Sequence, residues 1–300
     1  MSKNKNLHSA KKEKNDEFYT QYEDIEKEVK HYKEHFKDKI IYCNCDDPEQ
    51  SNFYKYFQDN FDILGLKKLI SSHYVSNSNS YKLEISRDIN GNLDTQKTTL
   101  KGNGDFRSEE SIEILQECDI VISNSPFSLF RKYITQLMEY DKKFLVIGNY
   151  NAITYKEVFK LIKENKLWLG VSPRSMNFKK SDGSIDVVNA SWFTNLDNKK
   201  RHIDLIRDVL YKKYNEVDYP KYDNYDAINV DKTNDIPVDY FGVIGVPITY
   251  FDKHNPDQFE ILGAECFEDI ETSKNVFQKP THKLENSNRV VYKRLWIKRK

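Results

Sequence analysis

The chain has 300 residues, with 47 Lys plus Arg against 47 Asp plus Glu and a formal net charge of zero. That length suits one large domain or two smaller ones, and 20 Tyr with 17 Phe supply the material of an aromatic-rich core. A zero balance excludes a chain that is basic throughout, so any nucleic-acid contact must come from local basic surface.

The N-terminal stretch over 1–15 carries Lys3, Lys5, Lys11, Lys12 and Lys14 and no apolar segment of the signal-peptide kind, and it reads as a disordered basic arm. "DEFYTQYEDIEKEVKHYKEHF" places Ile25, Val29, Tyr32 and Phe36 at helical spacing and predicts a helix over 16–36. "DKIIYCN" is a short buried strand. "DDPEQSNFYKYFQDNF" opens with acids and Pro, which start helices. "LKKLISSHY" is a second strand. "YKLEISRDINGNLDTQKTTL" is a hairpin turning at Asn90-Gly91. "GNGDF" leads into the helix "SEESIEILQEC". "DIVISN" is a buried strand, "SLFRKYITQLMEY" a helix, "KFLVIGN" a strand, "TYKEVFKLIKEN" a helix and "KLWLGV" a strand.

Repeated strand–helix alternation predicts an α/β fold with a doubly wound, mostly parallel sheet. After about residue 200 the pattern loosens into Tyr, Asn, Asp and Pro, which marks a second region over 201–300 after a main domain over 16–200. The closing "RVVYKRLWIKRK" alternates apolar and basic residues, as a strand with one buried and one cationic face would. The four cysteines, Cys43, Cys45, Cys118 and Cys266, form no CxxC pair, so no metal site is expected and free thiols in a reducing cytoplasm are. No run approaches the ~20 apolar residues of a membrane helix.

The loop that carries chemistry is Asn124-Ser125-Pro126-Phe127. It follows a buried strand, where open α/β sheets bind ligands. An Asn side-chain carbonyl and a neighbouring backbone carbonyl can accept both protons of an exocyclic amine, and the aromatic can stack on a flat ring. The plain alternative is a turn with Asn124 capping the next helix.

These four residues resemble the [Asn/Asp/Ser]-Pro-Pro-[Tyr/Phe/Trp] motif of amino-methylating DNA methyltransferases. Ser125 stands where the first Pro is usual, so the rigidity of two prolines is lost. "NDEFYTQ", "IIYCNCDDPE", "GNGDF" and "FLVIGN" resemble further segments of these enzymes. With "NAITYKEVF", "ASWFTNL" and "NPDQFEILG", they are similar to the EcoRI-type adenine-specific methyltransferases, in the gamma order of motifs, from about residue 15 to the end.

The resemblance implies S-adenosylmethionine as cofactor. It implies that Asp105, with Phe106, holds the cofactor's adenine, and that Phe18, Tyr19 and Thr20 lie near its methionine end. The usual glycine-rich loop is replaced by "CNCDDPE", which has no glycine; Asp46 or Asp47 is expected to bind the cofactor's ammonium or ribose instead. Phe178 is the candidate second base-stacking ring, ahead of Trp192 and Phe193. Lys199, Lys200, Arg201 and His202, with Lys293, Arg294, Lys298 and Arg299, are candidates for DNA phosphate.

The implied function is methylation of adenine N6 in double-stranded DNA by a cytoplasmic monomer. The setting is restriction–modification, with a nuclease acting on the same site without direct contact, or an orphan methylase. Cytosine N4, RNA, a protein glutamine, or a non-catalytic DNA-binding relative are the alternatives.

Overall fold

In the computed structural model the described residues are 19–45, 47–179, 185–205, 209–211, 219–264, 283–285, 291 and 293–300. The chain forms two compact units: Met1–Ala152 with Gly170–Leu196, and Ile153–Leu169 with Asp197–Lys300. The basic arm over 1–15 lies outside the described residues.

Unit 1 contains β1 (Tyr19–Thr20), β2 (Ile40–Cys45), β3 (Lys68–His73), β4 (Tyr81–Arg87), β5 (Leu93–Thr99), β6 (Ile120–Asn124) and β7 (Lys143–Asn149). The two-residue β8 (Trp168–Leu169) belongs to unit 2, and β9 (Met176–Lys179), β10 (Ile185–Val188) and β11 (Ala190–Thr194) return to unit 1. Its helices are α1 (Tyr22–Val29), α2 (Asn52–Asp59), α3 (Glu109–Glu117) and α4 (Phe130–Glu139).

Seven strands of unit 1 stand in the order β5-β4-β3-β2-β6-β7-β11. β3, β2, β6 and β7 run parallel, while β4, β5 and β11 are antiparallel additions. This is the expected α/β sheet. The chain winds from β2 to β3 on one side and from β6 to β7 on the other. The reversal lies between β2 and β6, and open sheets of this kind bind ligands outside the carboxyl ends of the strands at that point.

The parallel strands are near-continuous apolar runs because both faces are covered. Ile41, Leu69, Ile120, Ile122, Leu145 and Ile147 are buried on one face, and Tyr42, Ile70, Val121, Phe144 and Val146 on the other. Ile25 and Val29 of α1, with Phe53, Tyr56 and Phe57 of α2, join the first set in one core. Burial of each such side chain is worth about 1.5–3 kcal/mol. Helix starts follow the sequence signals: the Ser51 hydroxyl accepts from Phe53 N at 3.2 Å, and Ser108 accepts from Ser111 N at 3.3 Å.

Two local expectations change. The helix predicted over 16–36 divides, in its described part, into β1, α1 and a 3-10 turn at Lys33–His35. Ile25, Val29, Tyr32 and Phe36 are all buried as their spacing predicts, but Thr20 pairs with Phe178 and so enters a small sheet, β1-β9-β10. The hairpin turns through residues 88–92 rather than Asn90-Gly91 alone, since Arg87 faces Leu93. Asp88 Oδ1 accepts from Asn90 N and Asn92 N, at 2.8 and 2.9 Å, and stabilises the wider loop.

Unit 2 contains α5 (Lys156–Lys163), whose Val158, Phe159 and Ile162 are buried, and β12 (Ala227–Asn229), β13 (Val243–Pro247), β14 (Phe259–Ala264) and β15 (Arg294–Arg299). The strand order is β12-β13-β15-β14. β15 lacks the cationic face that its alternation predicted. Leu295, Trp296 and Ile297 are all fully buried, with Trp296 packed against Tyr222 and Tyr225 at 5.0 and 4.5 Å between ring centroids. Arg294 is buried too, its side chain 6% exposed and ion-paired with Asp231 at 2.5 Å. Both faces of β15 are covered over 294–297, and only Lys298 is exposed within the strand, with Arg299 partly so.

Candidate active site

β6 delivers Asn124 and Ser125 to the carboxyl edge of the sheet, both buried, at 5% and 2% exposure. Ser125 donates twice to the Ile147 carbonyl of β7, from its backbone N at 3.3 Å and its hydroxyl at 2.6 Å. Proline could make neither bond. The serine therefore fixes the loop by hydrogen bonding where a second proline would fix it by its ring. Pro126, at φ −64° and ψ 112°, turns the chain into a 3-10 turn at Phe127–Leu129, which runs on into α4.

Phe127 is half-buried and meets Phe178 edge to face, with centroids 6.2 Å apart and ring planes at 87°. Phe178 is wholly buried on β9 and backs the Phe127 ring. Trp192 and Phe193 are core residues, packed on Phe53 at 5.8 Å and Phe130 at 4.8 Å respectively. Because Thr20 is the register partner of Phe178, the segment after Phe18 is brought beside the Asn124–Phe127 loop. Phe18 lies outside the described residues, and Tyr19 is described in its backbone alone. Thr20 is buried; its carbonyl accepts from Asn52 Nδ2 at 2.7 Å, while its hydroxyl has no hydrogen-bond partner among the described residues.

The strand carrying Phe178 is anchored from below. Glu28 of α1 is fully buried and accepts from Val171 N and Ser172 N, each at 2.7 Å, and from the Tyr32 hydroxyl at 2.8 Å. A buried carboxylate satisfied by three donors holds the segment that leads into β9.

Across the switch point, β2 ends in Asn44 and Cys45. Asn44 is buried and accepts a hydrogen bond from the Tyr133 hydroxyl of α4. Burial raises the Tyr133 pKa far above that of a free phenol, so it stays a donor. Cys45 has φ +85°, in the left-handed region that favours glycine. The loop therefore makes a glycine-like turn with a cysteine. Asp46 lies outside the described residues. Asp47 follows, half-buried: its Oδ1 accepts from the Tyr81 hydroxyl at 2.6 Å and from Glu49 N at 3.1 Å.

The "GNGD" loop packs against the end of β3. Gly104 has φ +76°, and a Cβ there would stand 2.0 Å from the His73 carbonyl oxygen, so no side chain fits. Asp105 is gripped by Arg107: Oδ1 accepts from Arg107 N and Nε at 2.9 and 2.8 Å, and Oδ2 from Nη2 at 2.6 Å. These bonds hold the Asp105 carboxyl below its usual range, ionised at neutral pH. Oδ2 takes one donor here and can accept another. Phe106 is buried edge-on against Tyr133 at 5.1 Å, and its carbonyl accepts from Gln136 at 2.9 Å.

The basic candidates do not form one group. Arg201 is buried in unit 2, with its guanidinium 3.5 Å over the Trp168 ring and bonds to Asp197 and Asn165 at 3.0 and 2.5 Å. His202 bridges Asp257 and Asp197, whose carboxylates raise its pKa. Arg294 holds Asp231, and Arg299 donates to the Pro237 carbonyl at 3.4 Å. Lys199 and Lys298 are exposed, Lys200 is partly exposed, and Lys293, at φ +52°, precedes β15. Sequence reading did not find Asn44, Tyr81, Tyr133 or Glu28. Each acts through a residue distant in the chain, and no local motif marks such a contact.

The family described as "Adenine-specific methyltransferase EcoRI" matches residues 6–300. The Type II methyltransferase M.EcoRI of Escherichia coli is 53% identical, over 86% of this chain and 89% of that protein. The Type II methyltransferases M.MpnI of Mycoplasma pneumoniae and M.MgeORF184P of Mycoplasma genitalium are each 41% identical, the first over 91% of both chains and the second over 90%. A match across nearly the whole chain, on a sheet that presents Asn124–Phe127 at its switch point, places the protein in the EcoRI-type family of adenine-specific methyltransferases.

Proposed function

We propose that this adenine-specific methyltransferase acts on N6 of an adenine extruded from double-stranded DNA, with S-adenosylmethionine as methyl donor. The observation that carries the reading is the position of Asn124–Phe127: a buried amide and a pinned carbonyl beside a half-exposed ring, at the switch point of the sheet.

The residues present fit the donor. The Thr20 hydroxyl is buried without a hydrogen-bond partner among the described residues, and such a group is costly unless a ligand satisfies it. Asp105 is ionised with acceptor capacity left on Oδ2, suited to an adenine amine, and Phe106 borders it. Asp47 is a further carboxylate on the first-strand side. When bound, S-adenosylmethionine supplies an electrophilic methyl group on a positively charged sulfur.

The chain's own residues prepare the nucleophile. Asn124 Oδ1 and the Ser125 carbonyl accept the two N6 protons, which raises electron density on the nitrogen and aims its lone pair. Phe127 stacks on the extruded base, and Phe178 keeps that ring in place. Orientation and preorganised acceptors then lower the barrier. In this reading the chain works in the cytoplasm as a monomer, marking a short site that a separate nuclease also reads. Exposed Lys199 and Lys298 neutralise phosphates.

Asn124→Ala tests this. It should nearly abolish methyl transfer through kcat while cofactor affinity stays at the wild-type value. If Asn124 only caps the turn, the variant loses about 1 kcal/mol of stability and activity falls no further than folding does. Near-wild-type turnover by folded Asn124→Ala protein would refute the clamp.

A further inference from the structure

Asp47 lies beyond the carboxyl end of β2, and its two oxygens are unequally used. Oδ1 accepts two bonds, from the Tyr81 hydroxyl at 2.6 Å and from Glu49 N at 3.1 Å. Among the described residues, Oδ2 has only a long contact from the Gln50 side chain, at 3.4 Å. The Asp47 carbonyl is held separately, by Gln50 N and Ser51 N at 2.9 and 2.7 Å. The carboxylate is thus fixed through one oxygen and open at the other.

Tyr81 is itself held. Ser72 pairs with Lys82, so Tyr81 stands level with His73, at the same end of the sheet as the catalytic loop. Its ring meets the His73 ring edge-on at 5.1 Å. Lys97 Nζ lies 3.9 Å from the centre of the Tyr81 ring and is tied to Glu49 at 2.6 Å. Burial, and then the Asp47 carboxylate, raise the Tyr81 pKa, so the phenol remains the donor.

We propose that Tyr81 is a positioning residue that aims Asp47 Oδ2 at a ribose hydroxyl of the cofactor, and so makes the β4–β5 hairpin part of the cofactor site. This rests on the cofactor reading above. A carboxyl oxygen with spare acceptor capacity, presented at the switch point by the Tyr81 and Glu49 bonds to its partner oxygen, suits a neutral hydroxyl donor. No acid ends β3, where this fold commonly places one, and the Tyr81–Asp47 pair supplies that acceptor from the neighbouring loop.

Calorimetry with S-adenosylhomocysteine and its 2′-deoxy and 3′-deoxy forms tests the proposal on the full chain. Tyr81→Phe keeps the ring packing and removes only the hydroxyl. It should weaken binding of S-adenosylhomocysteine by about 10-fold, the lower end of what loss of a hydrogen bond to a charged group costs. The loss should shrink below about 2-fold for the deoxy form that lacks the bound hydroxyl, while the melting temperature stays near wild type. Asp47→Asn should give the same analogue pattern, which covers the case of a poorly folded Tyr81→Phe. Equal losses for all three ligands, or no loss, would overturn the Tyr81 proposal and leave the cofactor reading standing. Wild-type protein that binds none of the three would overturn both.

Discussion

Single residues decide whether the loops at the switch point of the sheet hold their shape. Ser125 departs from a two-proline loop, yet its two bonds to Ile147 supply the rigidity that the sequence alone suggested was lost. Cys45 departs from a glycine loop and still makes the left-handed turn, at φ +85°. For a residue with a Cβ that conformation costs about 1–2 kcal/mol, and strain of this kind gathers at functional sites. Cys45→Gly should therefore raise the free energy of unfolding by about 1 kcal/mol, the strain relieved less the entropy that glycine adds to the unfolded chain. Denaturant unfolding at neutral pH reads this directly. A stability unchanged or lowered by as much would mean that the cysteine side chain contributes packing that outweighs its backbone strain.

Elements were legible where one face or two faces are uniformly apolar. The parallel strands β2, β3, β6 and β7 follow from runs such as Ile120–Ile122, because a strand buried on both sides must be apolar throughout. α1 showed itself by Ile25 and Val29, and the same spacing placed Tyr32 and Phe36, which flank the following 3-10 turn, in the core. The Asn124–Phe127 candidate was legible in the sequence because the proposed clamp is made of consecutive residues, and the structure shows Asn124 and Ser125 buried at the end of β6. Elements defined by distant pairing were not. β1 exists because Thr20 meets Phe178, about half the chain away, and nothing local to 16–21 distinguishes that strand from a helix start. β15 misled for the opposite reason. Its apolar–basic alternation suggested a cationic face, but Arg294 is neutralised within the fold by Asp231, on the loop after β12. The Glu28 and Tyr81 contacts were invisible for the same reason as β1.

At the scale of the molecule, zero net charge leaves any DNA affinity to local groups of exposed cations. Among the basic candidates, the structure separates exposed side chains from those held by internal partners. Lys199 and Lys298 are exposed, while Arg201 and Arg294 are buried among internal partners. Lys199→Gln with Lys298→Gln should flatten the dependence of log K for DNA on log salt by about 0.9 for each phosphate left without its cation. Arg294→Gln should leave that slope unchanged and lower the melting temperature, since it leaves Asp231 without its cation and a buried site with unmet polar groups. A reversed pattern, with the slope changed by Arg294→Gln alone, would mean that β15 faces DNA after all.

The methylated product distinguishes adenine N6 from every other acceptor. Purified protein, DNA of mixed sequence and S-adenosylmethionine with a labelled methyl group should give label in N6-methyladenine when the DNA is digested to nucleosides and resolved by mass spectrometry. The label should fall in a single sequence context and disappear with Asn124→Ala. Label in N4-methylcytosine, in RNA or in protein, or no label from a folded enzyme that binds S-adenosylhomocysteine, would contradict the account.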